Sequence, residues 1–214
     1  MRIITGSARG IQLETIEGNA TRPTADRVKE ALFSMLQFDI EYRTVLDLFA
    51  GSGQLGLEAL SRGAASAVFT DSSRECVDVI LRNAAKTRLK DRCRVSVQDF
   101  KNYLNGNKGR EKFHMIFLDP PYNTTCMKEA LELIAKHGIL GEGGVIACET
   151  DTEVTERKRR KGEPEEDEAA AVLRDVFMGE EALMSRFDVR RSARYGRTRL
   201  TLLEMKDSSL SESE

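Results

Sequence analysis

Asp119-Pro120-Pro121-Tyr122 is the segment of this chain whose residue types fit a chemical task most directly. An amine on a nucleobase ring is a poor nucleophile because its lone pair is delocalised, so its methylation needs groups that accept its hydrogens. The Asp119 carboxylate and the Pro120 carbonyl could accept them, while two prolines fix φ and remove two amide donors. The Tyr122 ring could stack on an extruded base. The alternative is a strand stopped by proline, with an incidental Asp and Tyr.

A second motif lies about seventy residues upstream, where a strand, a glycine turn and a helix start are predicted over residues 45–58. Gly51, Gly53 and Gly56 match the GxGxxG pattern, which lets backbone approach a ligand and offers free amides at a helix N-terminus. This pattern alone is weak. A dinucleotide-binding oxidoreductase fits it equally well, with Asp71 near the spacing of a ribose-binding acid.

Acidic residues recur at the ends of successive apolar runs, at Asp47, Asp71, Asp99 and Asp119. Such spacing predicts a βα repeat with one polar group at each strand end. Ligands of open α/β sheets bind at that edge. A carboxylate at Asp47 suits a cationic ligand better than a pyrophosphate, and S-adenosylmethionine carries an amino acid head, a sulfonium and no phosphate.

This combination of motifs resembles class I S-adenosylmethionine-dependent methyltransferases and, within them, the RsmD family, which methylates N2 of a guanine in small-subunit ribosomal RNA. Arg22-Pro23-Thr24 is the most family-specific segment, since glycine turns and Asp-Pro-Pro-Tyr are shared with many amine methyltransferases, including DNA enzymes. The resemblance extends from the start of the chain to about residue 150, with a further match near the C-terminus. It is carried by residues 2–10, 22–33, 46–63, 119–122 and 195–198.

The resemblance implies a single α/β domain over residues 1–206 with a Rossmann-like class I methyltransferase fold. The sheet is expected to be mostly parallel and seven-stranded, with helices on both faces and the last strand antiparallel. Residues 1–21 are expected to form an N-terminal hairpin extension, residues 151–185 a charged insertion, and residues 207–214 a disordered tail.

The resemblance also assigns roles to individual residues. It implies that the cofactor's methionine end lies at Asp47 and the glycine turn, its ribose at Asp71 and its adenine near Asp99 and Phe100. The whole cofactor-binding set is Asp47, Phe49, Gly51, Gly53, Asp71, Asp99 and Phe100. The catalytic set is Asp119, Pro120 and Tyr122, and the substrate-binding set is Arg22, Thr24, Arg27, Pro121, Arg194 and Arg197.

The implied reaction is direct in-line methyl transfer from S-adenosylmethionine to the guanine amine, of the guanine 966 N2 type, leaving S-adenosylhomocysteine. No metal and no covalent intermediate is needed. The implied partner is 16S ribosomal RNA, in a small-subunit particle, and a monomer without membrane attachment is expected.

Composition agrees with these expectations. A chain of 214 residues with 40% hydrophobic residues can bury one full core. Four cysteines without a CxxC pair indicate thiols in a reducing compartment, and two isolated histidines make a metal site improbable. No apolar stretch approaches the length of a membrane span, and Met1-Arg2 leads into a strand-like segment, so the protein is expected in the cytoplasm.

Charge is unevenly distributed although the net charge is only -2. Seven basic residues lie between Arg186 and Lys206, on a predicted hairpin of strands 187–191 and 198–205. They predict a phosphate-contacting patch, or alternatively an edge that deters strand pairing. A basic block at 156–161 precedes an acidic block at 163–168, which favours a solvated, partly mobile insertion over an RNA-binding arm.

Local signals predict where several elements begin. Thr24 is the expected N-cap of the first helix, and Ser72 begins an S-x-x-E capping box. Further elements are expected as N-terminal strands near 2–4 and 11–13, a helix over 125–136 and a fifth strand over 145–149.

Three other functions remain open. A dinucleotide oxidoreductase leaves Asp119-Pro120-Pro121-Tyr122 without a role. A non-catalytic ribosome-assembly factor that binds the cofactor gives no reason for the intact tetrad. A DNA adenine N6 or cytosine N4 methyltransferase uses the same tetrad, and the Arg-Pro-Thr segment together with the small size of the chain argues against it.

Overall fold

A computed structural model describes residues 1–16, 23–121, 125–155 and 167–206. Apolar runs rich in β-branched and aromatic residues form the strands of one sheet. These strands are β1 (Thr44–Asp47), β2 (Ser66–Asp71), β3 (Cys93–Val97), β4 (Phe113–Leu118), β5 (Leu140–Asp151), β6 (Phe187–Tyr195) and β7 (Thr198–Met205).

The strand order is β3-β2-β1-β4-β5-β7-β6. Strands β1 to β5 are mutually parallel, and β7 pairs antiparallel with both β5 and β6. The prediction of a mostly parallel seven-stranded sheet with an antiparallel last strand is therefore confirmed. The carboxyl ends of β1 and β4 lie side by side where the strand order reverses, which is where open α/β sheets bind ligands.

Helices cover both faces of the sheet, and strand residues alternate between two buried clusters because successive side chains point to opposite faces. Val45, Phe117 and Ala147 belong to the cluster on one face, and Leu46 and Ile146 to the cluster on the other. The described helices are α1 (Pro23–Met35), α2 (Gln54–Ser61), α3 (Arg74–Lys86), α4 (Phe100–Asn107), α5 (Cys126–His137), α6 (Thr152–Thr155), α7 (Glu168–Val176) and α8 (Glu181–Met184).

The N-terminal segment, residues 1–16, folds back on itself as a hairpin-like piece and is attached to α2 and α3. Its two arms meet at an isolated bridge between Arg2 and Gln12, where two short strands were predicted. The amides of Ile4 and Thr5 donate to the buried Glu58 carboxylate, at 2.7 and 3.0 Å. Backbone hydrogen bonds join the two arms, from the Ile3 amide to the Ile11 carbonyl at 3.0 Å and from the Leu13 amide to the Met1 carbonyl at 2.9 Å, while the bonds to Glu58 attach the segment to α2.

Gly6 makes this attachment sterically possible. Its φ of +88° lies in the left-handed region, and a Cβ there would lie 1.8 Å from the carbonyl oxygen of Ser61. The next amide, of Ser7, donates to that same oxygen at 2.8 Å. Only a glycine lets the segment approach α2 so closely.

Two predicted caps are wrong by one position. Helix α1 begins at Pro23, so Thr24 lies inside the helix instead of capping it. Proline favours this first helical position because its missing N–H has no partner there. Helix α3 is capped by Ser73 rather than Ser72, since Ser73 is extended and its side chain accepts from the Cys76 amide.

The second half of the predicted charged insertion is packed rather than solvated. Val172, Val176, Phe177 and Leu183 are buried in the cluster that also covers β4 and β5, and the Phe177 ring lies 5.0 Å from that of Phe187. Apolar residues spaced for a helix face fix this segment to the sheet. The basic block, residues 163–166 of the acidic block, and the tail 207–214 lie outside the described residues.

Two further predicted bounds differ slightly. The helix expected over 125–136 is α5, one residue later at each end, and β5 begins at Leu140 and ends at Asp151, well beyond the predicted 145–149. Among the described residues, no helix is long and apolar enough to cross a membrane.

Candidate active site

A cavity of about 620 Å³ opens at the carboxyl edge of the sheet, where β1, β2 and β4 end. The strand ends bring together residues that are far apart in sequence, as the acidic spacing predicted. Of the predicted site residues, those lining the cavity are Asp47, Phe49, Gly51, Asp71, Asp99, Phe100, Asp119, Pro120 and Pro121. Gly53 does not line it, and its role is to shape the turn.

The glycine turn is held against the end of β2. The Gly51 amide donates to one oxygen of Asp71 at 2.9 Å, and the Ser73 amide donates to the other at 2.9 Å. Gly53 adopts the left-handed conformation with φ 78°, which turns the chain into α2. Asp71 is thus fixed by backbone donors while its side chain still borders the cavity.

Asp47 is a buried carboxyl group at the end of β1, only 2% exposed. One of its oxygens accepts from the Gly56 amide at 2.9 Å. Burial raises the pKa of Asp47 to about 7, with a smaller contribution from Asp71, while the Gly56 hydrogen bond opposes the rise. A cationic ligand beside Asp47 would favour the ionised form of this buried carboxyl group.

Two aromatic rings form the wall of the cavity near the end of β3. The Phe49 and Phe100 ring centroids lie 5.0 Å apart, tilted by 47°. Asp99 caps α4 by accepting from the Lys101 amide at 2.9 Å, which gives this residue a structural role besides its place in the lining. Rings beside a carboxylate suit the flat, partly polar surface of a purine.

Strand β4 delivers Asp119 and Pro120 to the same cavity. Burial, first of all, raises the pKa of Asp119 well above its ordinary range, and the charges of Glu149 and Asp47 add to it. Pro120 is buried and Pro121 is exposed. Tyr122 lies outside the described residues, so its predicted stacking role stays a prediction.

The N-terminal segment supplies a wall that the sequence did not indicate. Met1, Thr15 and Ile16 line the cavity. They are positioned through Asn83 of α3, which is fully buried and which the sequence reasoning missed.

Asn83 joins the two walls by three hydrogen bonds. Its Oδ1 accepts from the Glu14 amide at 2.8 Å, and its Nδ2 donates to the carbonyls of Glu14 at 3.0 Å and Ser52 at 2.9 Å. Ser52 belongs to the glycine turn, so one side chain ties the N-terminal segment to it. The signal available in the sequence was an amide residue on the otherwise apolar face of α3.

The predicted basic patch does not form one surface. Arg194 and Arg197 lie at the turn between β6 and β7, at the same edge as the cavity, because Tyr195 pairs with Thr198 there. Phe187 pairs with Met205 at the other end of these strands, which places the neighbouring Arg186 and Lys206 at the opposite edge. The strand register therefore limits this patch to the residues near the turn.

Several of these arginines are already paired. Arg197 reaches Asp151 at 2.9 Å and Glu153 at 3.0 Å, and Arg190 reaches Asp39 at 3.0 Å. Arg27 is exposed on α1. Arg22 lies outside the described residues, and the side chain of Thr24 is not described.

The residues present fit S-adenosylmethionine. Asp47 and the amides of the glycine turn could hold its amino acid end, Asp71 its ribose hydroxyls, and the rings of Phe49 and Phe100 its adenine. Asp119 would lie on the side from which an acceptor amine arrives. A buried carboxyl group whose pKa is raised to about 7 suits a cationic ligand better than a dinucleotide, because positive charge favours its ionised form.

Comparisons with known proteins agree with this geometry. Residues 1–167 match the family described as Conserved hypothetical protein 95. The chain is 41% identical over 155 residues to YlbH of Bacillus subtilis, covering 72% of this chain and 84% of that protein. It is 37% identical over 153 residues to Ribosomal RNA small subunit methyltransferase D of Escherichia coli. That match covers 72% of this chain and 76% of the Escherichia coli protein.

A solved structure supports the same assignment. The Escherichia coli protein yhhF superposes with a TM-score of 0.74 at 28% identity, covering 96% of this chain and 98% of that one. The cofactor is S-adenosylmethionine. The chain therefore belongs to the Conserved hypothetical protein 95 family, which is the RsmD family of methyltransferases.

Proposed function

We propose that this protein transfers a methyl group from S-adenosylmethionine to N2 of a guanine in 16S ribosomal RNA, at the guanine 966 type of site. The observation that carries the proposal is the convergence of Asp119 and Pro120 on the cavity that also holds Asp47 and Asp71. Acceptors for an amine and a site for a cationic cofactor thereby share one opening. The similarity to Ribosomal RNA small subunit methyltransferase D supports the choice of RNA.

The cofactor supplies a methyl group on a sulfonium, whose sulfur is a good leaving group. The protein contributes position and electrostatics. Asp47 orients the amino acid end of the cofactor and Asp71 its ribose, and the Phe49–Phe100 wall excludes water from the adenine side. Backbone amides at Gly51 and Ser73 fix Asp71 before any ligand arrives, so little ordering is required on binding.

Asp119 and the Pro120 carbonyl orient the acceptor amine by accepting its two hydrogens. N2 is held in line with the methyl group that the cofactor would supply, and accepting that group would leave N2 cationic. The Asp119 carboxylate stabilises this charge and accepts the departing proton, which passes to solvent. Its raised pKa makes the proton transfer favourable, because burial and the neighbouring carboxylates favour the neutral form.

The RNA contributes a base turned out of its stack, since the cavity cannot admit a paired guanine. Tyr122 would stack on that base, and Arg22, Thr24, Arg27, Pro121, Arg194 and Arg197 would contact the surrounding RNA. Arg194 and Arg197 lie at the correct edge for this role. We further propose that the protein acts as a cytoplasmic monomer on an assembled small-subunit particle and needs no metal.

The test is to incubate the protein and S-adenosylmethionine with small ribosomal subunits that lack the modification. The RNA is digested to nucleosides, and N2-methylguanosine is sought by mass spectrometry. Its appearance, mapped to one nucleotide, is the expected result. Methyl transfer to a DNA adenine or cytosine, with none to RNA, would overturn the choice of substrate. Cofactor binding without transfer to any nucleic acid would favour an assembly factor.

A further inference from the structure

Glu149 does not line the cavity, but it lies on the strand next to Asp119, and the motifs did not single it out. Strands β4 and β5 are parallel neighbours, with Leu118 paired to Cys148. The next residue on each strand is an acid, Asp119 on β4 and Glu149 on β5. Adjacent strands lie about 4.8 Å apart, so the two carboxylates start from neighbouring backbone positions.

Both acids fall on the same face of the sheet. Leu118 and Cys148 belong to one buried cluster, whereas Phe117 and Ala147 belong to the other. Alternation therefore assigns Asp119 and Glu149 to the face of Phe117 and Ala147. Leu200, which pairs with Glu149 across β5 and β7, is buried in the cluster of that face as well.

Charge agrees with this placement. After burial, Glu149 is the largest cause of the raised pKa of Asp119, ahead of Asp47. Glu149 is half-buried, so it is accessible to a ligand at the edge. A base that lies against two neighbouring carboxylates is bound most favourably when it presents a hydrogen-bond donor to each of them.

Guanine is the nucleobase that offers this pair of acids adjacent donors. Its N2 amine and its N1–H lie side by side on one edge. Adenine places an acceptor, N1, beside its N6 amine, and cytosine places the acceptor N3 beside N4. A carboxylate facing either acceptor would oppose two lone pairs and leave both unsatisfied, which costs about 1–3 kcal/mol.

We propose that Glu149 selects guanine by accepting the N1–H of the target base while Asp119 and Pro120 accept the hydrogens of its N2 amine. This inference rests on the proposed function and adds to it the residue that distinguishes guanine from other amine-bearing bases. Glu149 is a binding residue in this scheme, and no proton is transferred to it.

The experiment compares guanine with 2,6-diaminopurine at the methylated nucleotide of the small-subunit RNA. The analogue keeps the 2-amine but presents an acceptor at N1 in place of the N1–H. We expect the native protein to prefer guanine by about 100-fold in kcat/KM. Glu149→Gln can donate its amide N–H to the analogue's N1, so we expect its preference to fall to about 10-fold or less.

Glu142→Gln is the matched control, since Glu142 is an exposed acid near the start of the same strand. It should keep the native preference. Calorimetry with S-adenosylhomocysteine, which should be unaffected by either substitution, verifies that each variant is folded. A loss of folded protein would lower kcat/KM equally for guanine and for the analogue. The proposal instead requires the ratio of the two kcat/KM values to change.

Each outcome has one meaning. If the native protein methylates guanine N2 but the preference is equal in native protein and Glu149→Gln, the role of Glu149 is overturned and the proposed function stands. If the native protein shows no preference for guanine over the analogue, the inference also fails, without any variant. If no methyl group reaches guanine N2 at all, the proposed function itself fails.

Discussion

The two halves of the carboxyl edge hold their acidic side chains in opposite ways. At the ends of β2 and β3, Asp71 and Asp99 accept backbone amides, so their positions are set before any ligand arrives. At the end of β4, no residue in the described ranges donates a hydrogen bond to Asp119, whose pKa is raised by burial and by Glu149 and Asp47. Backbone donors hold the acids at the ends of β2 and β3, the proposed cofactor side, whereas burial and neighbouring carboxylates disfavour the ionised form of Asp119 on the proposed acceptor side.

This difference separates affinity from selectivity. Acids fixed by amides bind their ligand with little loss of side-chain entropy, which favours tight cofactor binding. Acids placed close together discriminate against any base that lacks suitably placed donors. In the proposed function, one residue type would therefore serve two tasks at the same sheet edge, because the local backbone differs.

The largest expected effect comes from removing the carboxylate of Asp119. Asp119→Asn should lower the methyl-transfer rate by about 10³-fold, since the charge that stabilises the cationic nitrogen is lost. Cofactor affinity should change little. Single-turnover transfer and calorimetry with S-adenosylhomocysteine measure the two quantities, and Asp78→Asn, at an exposed acid on α3, is the control. A rate close to that of the native protein would show that the acceptor side does not depend on this carboxylate.

A substitution on the proposed cofactor side should change cofactor affinity more than the methyl-transfer rate. Asp71→Asn should weaken S-adenosylhomocysteine binding by about 10–100-fold, because a charged acceptor for hydroxyls is worth about 1.5–3 kcal/mol. The transfer rate at saturating cofactor should fall far less. Asp78→Asn, an exposed acid on α3 paired with Arg74, provides the control. An unaltered dissociation constant for Asp71→Asn would remove the proposed ribose contact.

The N-terminal segment tests whether preorganisation extends to the cavity wall. Gly6→Ala should destabilise the fold by about 3 kcal/mol and weaken cofactor binding, because its Cβ would meet the Ser61 carbonyl. Gly10→Ala has a similar φ of +83° but nothing within 4 Å of the new Cβ, so it should cost only about 1 kcal/mol. Thermal unfolding and calorimetry compare them. Equal losses of stability and of cofactor affinity in Gly6→Ala and Gly10→Ala would mean that the positive φ, and not the contact with Ser61, causes both losses.

Stability against pH probes the buried acid at the boundary between the halves. The pKa of Asp47 is raised from 3.8 to about 7, so its contribution to stability is present below 3.8 and is lost as pH rises through about 7. The unfolding temperature of the ligand-free protein should therefore decline over this range. Asp47→Asn should make the fall in unfolding temperature smaller. Part of the fall should remain, because the pKa of Asp119 is also raised.

Bound cofactor sharpens this measurement. The cofactor's positive charge favours the ionised form of Asp47, so the decline should be smaller when S-adenosylmethionine is present. An identical decline in Asp47→Asn and native protein would assign the pH dependence to other groups.

The smallest expected effect lies at the turn between β6 and β7. Arg194→Gln should reduce by about one the slope of log affinity against log salt for small-subunit RNA. Lys206→Gln, at the opposite end of the hairpin, should leave the slope unchanged. Filter binding over a range of salt concentrations measures both. Equal slopes in the two variants would exclude the turn as a phosphate contact.

Recurring local signals made much of the fold predictable. Apolar runs ending near Asp47, Asp71, Asp99 and Asp119 predicted the parallel strands β1 to β4 and the edge at which the cavity opens. Helix starts were less predictable, as at Ser73, because neighbouring serines have the same capping chemistry and only the backbone conformation selects between them. Apolar spacing over residues 172–183 was present in the sequence but was obscured by the charged blocks before it.

The sequence by itself determined the acidic strand ends, the glycine turn and the chemistry of Asp119 and Pro120, since these depend on residue type and local spacing. Only the tertiary structure decided that Asn83 joins the N-terminal segment to the glycine turn, that Glu149 lies beside Asp119, and that the basic residues of the hairpin separate to opposite edges. Such relations depend on strand order, register and long-range hydrogen bonds, which pair residues across distances in sequence that no local pattern encodes.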